Sequence, residues 1–369
     1  DTDIRRWGYA RLVIDLHERL ENRPLSEILA MVRTAKLAQA FINLGRYHSA
    51  IASLNEALLM SQSLQSRHAE GVILGELGRC YSNLGQYAKA IEHLEQALAI
   101  KHEIGDRVGE GTILGNMGGC YRNLGQTAKA IDYHQQALAI FREVGNRVGE
   151  GATLGNLGSC YSNLGQTAKA IEAHEQALVI SREVGDRAGE GTDLGNLGLC
   201  YDILGQIAKA IDYHEQALAI SREVGNRAGE GIVLGNLGSC YRNLGQYAKA
   251  IDYHKQALAI FRQIGDRAGE GATLSNLGGC YSDLGQYDKA VDHIQSAQAI
   301  ARDIGDQLGQ AAYQRRWGNT ALLQGDWAEA ATQYQLALAI ADAIGASSSQ
   351  HQTRWGLALV KLYTGDLLE

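Results

Sequence analysis

The sequence predicts an all-α solenoid, an array of paired helices in which each pair packs only on its neighbours. Two observations carry this. The stretch from Asp106 to Gly145, DRVGEGTILGNMGGCYRNLGQTAKAIDYHQQALAIFREVG, returns forty residues later from Asn146, then from Asp186, Asn226 and Asp266, and more loosely from Asp306. Earlier copies start at Ser26 and Ser66. A fixed period of this size marks units that bury their apolar faces only against each other. Within the copy, Leu114, Met117, Tyr121 and Leu124 share one side of a helix, and Ile131, His134, Leu138 and Phe141 share one side of a second. The 369 residues therefore read as one array rather than two or three globular domains.

In chain order, residues 1–25 read as a flanking helix or half-repeat carrying Trp7-Gly8, Leu12, Leu16 and Leu20. Pro24, the single proline, marks a break before the array. The array spans 26–369, with eight units opening at 26, 66, 106, 146, 186, 226, 266 and 306 and a truncated one from about 346. Each full unit opens on Ser, Asp or Asn, side chains that accept hydrogen bonds from the free N–H groups of a helix start. Gly125 between the paired helices and Gly145 after them, with equivalents such as Gly85 and Gly165, are placed to take the left-handed conformation that ends a helix. The unit at 26 is degenerate, with Phe41 in the tyrosine slot. Beyond Asp306 the pattern loosens to Arg315-Arg316-Trp317-Gly318, which sets Arg316 in the slot of an asparagine. Ser347 to Ser349 suit the cap of a last helix carrying Trp355 and Leu359, and Leu367 and Leu368 the start of a partner.

Leu154, Leu157-Gly158, Tyr161, Ala170 and Ala177 resemble the spaced pattern of the tetratricopeptide repeat family, helix-turn-helix units usually of about thirty-four residues. The resemblance covers residues 26–369. The longer unit, with its GNLG and GDRxGEG phrases, looks most like Partner-of-Inscuteable-type adaptors and the arrays of bacterial NB-ARC (STAND-type) ATPases. What the resemblance implies is a right-handed superhelix whose concave surface binds a peptide or a folded partner.

Composition narrows the function classes. A net charge of −7 with no basic run disfavours nonspecific nucleic-acid binding. No apolar stretch is long enough to span a bilayer, so no membrane partner is expected. The N-terminus has neither a signal peptide nor an initiating methionine, and the chain reads as part of something longer. Six cysteines recur once per unit, from Cys80 to Cys280, too far apart to pair, as suits reduced thiols in a cytoplasmic protein. No nucleophile, base and orienting group combine outside the repeated positions, so neither catalysis nor a cofactor is expected.

The glycines conflict with helix propensity, since each interior glycine costs roughly 1 kcal/mol relative to alanine. Gly118 and its equivalents fit close helix packing. For Gly115, Gly155, Gly195 and Gly235 both packing and close approach of a ligand backbone are open. Next to them stand Asn116, Asn156, Asn196, Asn236 and Asn276, which the resemblance places in the concave groove. A carboxamide there both donates to and accepts from a peptide group; bonding to neighbouring helices is the competing reading. A second series, Asn83, Asn123, Asn163 and Asn243, fits helix capping as well as the groove. Specificity would come from variable slots, where Leu199, Asp202 and Ile203 depart from the neighbouring units. Leu199 and Ile203 suggest an apolar pocket flanked by Arg122 and Arg242, for a ligand with an apolar anchor and acidic groups; neutral drift in an exposed helix is the competing reading. His134, His174, His214 and His254 are expected to be packed and hydrogen-bonded, and Lys129 to pair with Asp132 on the surface. A protein or peptide partner is the leading expectation, in the sensor or scaffold arm of a larger bacterial signalling or defence protein; a homo-oligomer stacked through end residues such as Trp7 or Trp355 is the alternative.

Overall fold

A computed structural model describes residues 11, 13, 14 and 26–364. The expected flanking helix or half-repeat over 1–25, with Pro24, and Leu367 and Leu368 lie outside the residues described as continuous structure. Seventeen α-helices and no strand are found among the described residues. They pair as α1 (Glu27–Asn43) with α2 (Tyr47–Ser63), α3 (Arg67–Asn83) with α4 (Tyr87–Glu103), α5 (Arg107–Asn123) with α6 (Thr127–Glu143), and α7 (Arg147–Asn163) with α8 (Thr167–Val184). These form one compact unit, ending at Gly185. The second unit holds α9 (Arg187–Ile203) with α10 (Ile207–Glu223), α11 (Arg227–Asn243) with α12 (Tyr247–Ile264), α13 (Arg267–Asp283) with α14 (Tyr287–Asp303), α15 (Gln307–Gln324) with α16 (Trp327–Ala343), and α17 (Ser347–Thr364). Within each unit every hairpin packs on the next, which is the architecture of an α-solenoid.

The helix ends follow from the residues at them. Asp106 Oδ1 accepts from the N–H of Gly109 at 2.8 Å, and Asn146, Asp186, Asn226, Asp266 and Asp306 do the same for the glycine three places on. Ser66 is the exception and makes no side-chain cap bond. At the turn, Gly125 sits at φ +72°, its N–H bonds to the Arg122 carbonyl, and that of Gln126 bonds to the Tyr121 carbonyl. This pair of bonds satisfies two carbonyls that the helix leaves orphaned, and it needs a residue that tolerates the left-handed region. The serine run lies inside the first turn of α17 rather than before it.

Each hairpin closes over a glycine. A Cβ on Gly118 would stand 2.7 Å from the His134 ring, and Gly158, Gly198 and Gly238 meet His174, His214 and His254 in the same way. Leu94 fills that place over Gly78, Ile294 over Gly278 and Tyr334 over Gly318. The expectation that these glycines serve close packing therefore holds. The histidines need a correction: they are buried, but both ring nitrogens of His134, His214 and His254 lack a hydrogen-bond partner. Burial in an apolar hairpin pushes each of these three imidazoles down to about 4.

A second correction concerns Lys129. It forms no ion pair with Asp132; its Nζ lies 5.2 Å from the centre of the Tyr121 ring, which stacks on Tyr133. Lys89, Lys169, Lys209, Lys249 and Lys289 repeat the arrangement. An ammonium over a tyrosine face gains more from the ring's electron density than from a carboxylate dissolved in water.

The repeated GDRxGEG phrase builds a staple. Glu150 is buried and accepts from Arg147 Nη1 at 2.6 Å and from Arg142 Nε at 2.9 Å, an arginine of the preceding hairpin. Arg147 also holds Glu183 at the far end of its own hairpin. Arg222 and Arg227 converge on Glu230 in the same way, and Arg262 and Arg267 on Glu270. Burial alone would raise the Glu150 carboxyl, but the hydrogen bonds from Arg142 and Arg147 outweigh it and hold the group below the usual range.

Candidate functional site

The asparagine slots fall in the middle of the first helix of each hairpin, beside the glycine that precedes them. Asn116 and Asn156 in the first compact unit, and Asn196 and Asn236 in the second, are half-buried, and their carboxamides make no hydrogen bond to another described residue. None of their amide atoms is sealed from solvent. A Cβ added to Gly115, Gly195 or Gly235 would meet nothing within 4 Å, so packing inside the protein does not require glycine there. Each pair thus presents an unoccupied donor–acceptor group next to an unshielded stretch of helix, the arrangement that lets a ligand main chain come close.

In the second unit Asn196, Leu199 and Asn236 line one cleft of about 350 Å³. The structure brings these three together and leaves the others of the variable slots elsewhere. Ile203 does not line this cleft and is 66% exposed, and Asp202 Oδ1 accepts from Asn243 Nδ2 at 3.1 Å. Arg242 is held by Asp283 through two bonds of 2.6 and 3.2 Å, so its charge already has a carboxylate partner. Arg122, in the first unit, forms no ion pair. The pocket expected from Leu199 and Ile203 is therefore built instead from Leu199 and the residues below it.

Asn276 differs from the other asparagines. Its Oδ1 accepts from Arg316 Nη2 at 3.4 Å, the guanidinium passing over Gly279, where any Cβ would collide with it. Burial, with Arg242 and Arg315 nearby, pushes Arg316 down to about 10. In the second asparagine series, Asn83 Nδ2 donates to the Arg79 carbonyl at 2.9 Å, close to the end of α3. Among the described residues no group of three or more His, Cys, Asp or Glu side chains could hold a metal ion, and no helix is long and apolar enough to cross a membrane.

Stacked antiparallel hairpins with one polar slot per hairpin define a helical-repeat interaction protein. The sequence profile described as Tetratricopeptide repeat matches residues 29–103, 109–183, 152–223 and 229–303. The chain belongs to that family, whose members serve as protein-interaction modules. Sequence comparison with curated proteins gives no match. Among solved structures, the chain is similar to the apo quorum sensor NprR from B. thuringiensis, with TM-score 0.68, 15% identity and coverage of 92% of this chain and 97% of that one. It is also similar to a STAND protein with a tetratricopeptide repeat sensor from Pyrococcus horikoshii, at TM-score 0.64 and 19% identity, over 89% of this chain and 49% of the other. A Rap protein complexed with competence and sporulation factor matches at TM-score 0.59 and 17% identity, over 92% and 98%. At these identities the likeness is one of fold.

Proposed function

We propose that the chain is a recognition module that holds an extended peptide, or an extended segment of a protein, by its main chain at the asparagine slots within a compact unit. The observation that carries this is the repeated pairing of an unbonded carboxamide with an open glycine, at Gly115-Asn116, Gly195-Asn196 and Gly235-Asn236. These amides are open to solvent, and a peptide group satisfies the donor and the acceptor of an amide at once. In the first unit Arg122 is an unpaired cation for an acidic side chain. The module then acts as the sensor or scaffold arm of a larger bacterial signalling or defence protein, with occupancy of the groove shifting its contact with an effector domain. The likeness to a quorum sensor and to a STAND sensor array supports this role. The setting is cytoplasmic, in keeping with six buried thiols.

Selection of binders from a library of random linear peptides tests the reading. Asn196→Ala with Asn236→Ala should weaken the selected peptides by about tenfold per asparagine, the worth of one to two hydrogen bonds. Undiminished binding by the double variant rejects it. A second reading, end-to-end assembly, draws on Trp355 and Leu362 of α17, which are 69% and 56% exposed. Sedimentation mass that rises with concentration, and is restored to the monomer by Trp355→Ser, would favour that alternative.

A further inference from the structure

The floor of the second unit's cleft corresponds to a seat that Lys101, Phe141 and Phe261 fill in their own hairpins. The Phe141 ring lies against Gly111 and Gly149, where added Cβ atoms would be 2.9 and 2.7 Å from it. Phe261 sits in the same way on Gly231 and Gly269, at 3.0 and 2.5 Å. Lys101 fills the seat with its aliphatic stem against Gly71 and Gly109, and its Nζ reaches Asp106 at 2.7 Å. At the equivalent place in the second unit the residue is Ser221, and the two glycines are Gly191 and Gly229. No ring or long side chain from position 221 reaches them: a Cβ on Gly191 would meet Ile220, and the nearest atoms to one on Gly229 belong to the Asn226 cap. Ser221, Gly191 and Gly229 all line the cleft, together with Leu199, Ile232, Asn196 and Asn236.

We infer that this cleft is a receptor for an aromatic side chain of the ligand, whose ring takes the place that Phe141 and Phe261 take in their own hairpins. The inference deepens the groove reading and rests on it for the ligand's approach. Three observations agree on the occupant. None of the lining residues is ionisable, so the cleft offers no ion-pair partner and suits an uncharged group. Its 350 Å³ exceeds the roughly 150 Å³ that suffices for a benzene ring in an apolar cavity. The glycines at its floor are equivalent by repeat to Gly111, Gly149, Gly231 and Gly269, on which this chain packs phenyl rings. Asn196 and Asn236 line the same cleft, so a peptide held by them would bring a side chain to it: the cleft reads the residue and the asparagines hold the backbone.

The test compares N-acetyl-phenylalanine N-methylamide with N-acetyl-alanine N-methylamide as probes, titrated into the whole chain and followed by amide shifts at Gly191 and Gly229. The phenyl probe should bind about tenfold more tightly. Ser221→Phe, which fills the seat from inside, should abolish that preference while leaving the helical circular dichroism unchanged. Ser221→Met supplies a second, more adaptable filling and should reduce the preference. Equal binding of both probes by the parent chain, or a preference that survives both substitutions, overturns the inference. The double variant Asn196→Ala and Asn236→Ala separates the two proposals. It should weaken both probes alike with the preference retained; loss of neither probe rejects the groove reading and leaves the receptor standing.

Discussion

The imidazole of His214 occupies the space that a side chain on Gly198 would need, its Cε1 only 2.5 Å from the position of a Cβ. Three places earlier in the same helix, Gly195 faces open space. Two glycines of one helix therefore have opposite reasons to be glycine.

Gly198→Ala is expected to destabilise its hairpin by roughly 1–3 kcal/mol, because a buried ring with no free volume has to move. Gly195→Ala should instead stabilise by up to about 1 kcal/mol through helix propensity alone, while weakening peptide binding in the groove. Hydrogen exchange of the amides in α9 and α10 measures both, since a solenoid opens locally. Equal effects of the two substitutions would contradict the assignment.

Acid should loosen the array through its histidines. Folded His134, His214 and His254 titrate at about 4, through burial foremost, with Arg122 adding to the shift for His134 and Arg242 and Arg316 for His254. An unfolded histidine titrates near about 6.5. Between those values the unfolded chain binds protons that the folded chain excludes, so stability is full above about pH 6.5 and falls as pH drops toward 4, by up to about 3 kcal/mol per histidine. His214→Leu, which copies the Leu94 seat over Gly78, should flatten the profile of urea midpoints between pH 7 and 4.5.

The Arg–Glu staples add to the same acid sensitivity at lower pH. Glu150 and Glu270 are held below the ordinary carboxylate range, burial being outweighed by the paired arginines. Their contribution is present above the unfolded value of about 4.3 and is lost as pH falls through the folded one. Glu150→Gln should lower exchange protection across α7 several-fold. High salt should lower it little further, because the screened outer pair Arg147–Glu183 is the exposed part of the staple.

The thiols should be inert in the folded chain. Burial pushes Cys240 up to about 12 and Cys80 and Cys280 to about 11, which leaves almost no thiolate at pH 8. Iodoacetamide is expected to label none of the six cysteines until urea is added, and all six afterwards. Rapid labelling of Cys240 without denaturant would show that its hairpin opens readily.

Much of this architecture was legible in the residues. The forty-residue return, the Asp or Asn at each helix start and the glycine at each turn are local signals, each tied to one backbone requirement. The candidate site was legible only in part. That Asn196 and Asn236 stand unbonded is consistent with their reading, whereas Asn276 is engaged by Arg316 and Arg242 by Asp283, pairings across hairpins that spacing within one helix does not reveal. Lys129 chose a tyrosine over Asp132 because the ring lies on the partner helix of the hairpin. Ser221 stands in a column with Phe141 and Phe261 that anyone can read off the sequence. Its meaning needed the two glycine faces, which come from different hairpins.

One junction recurs without change: an arginine near the end of one hairpin, Arg142, Arg222 or Arg262, reaches the buried glutamate of the next, Glu150, Glu230 or Glu270. Plug and socket are thus the same at these steps, and a forty-residue copy spliced in after Gly225 would find matching ends on both sides. In-register recombination in the gene can lengthen or shorten such a chain without posing a new packing problem. The number of its hairpins is then a heritable variable, set by copy number rather than by the invention of new contacts.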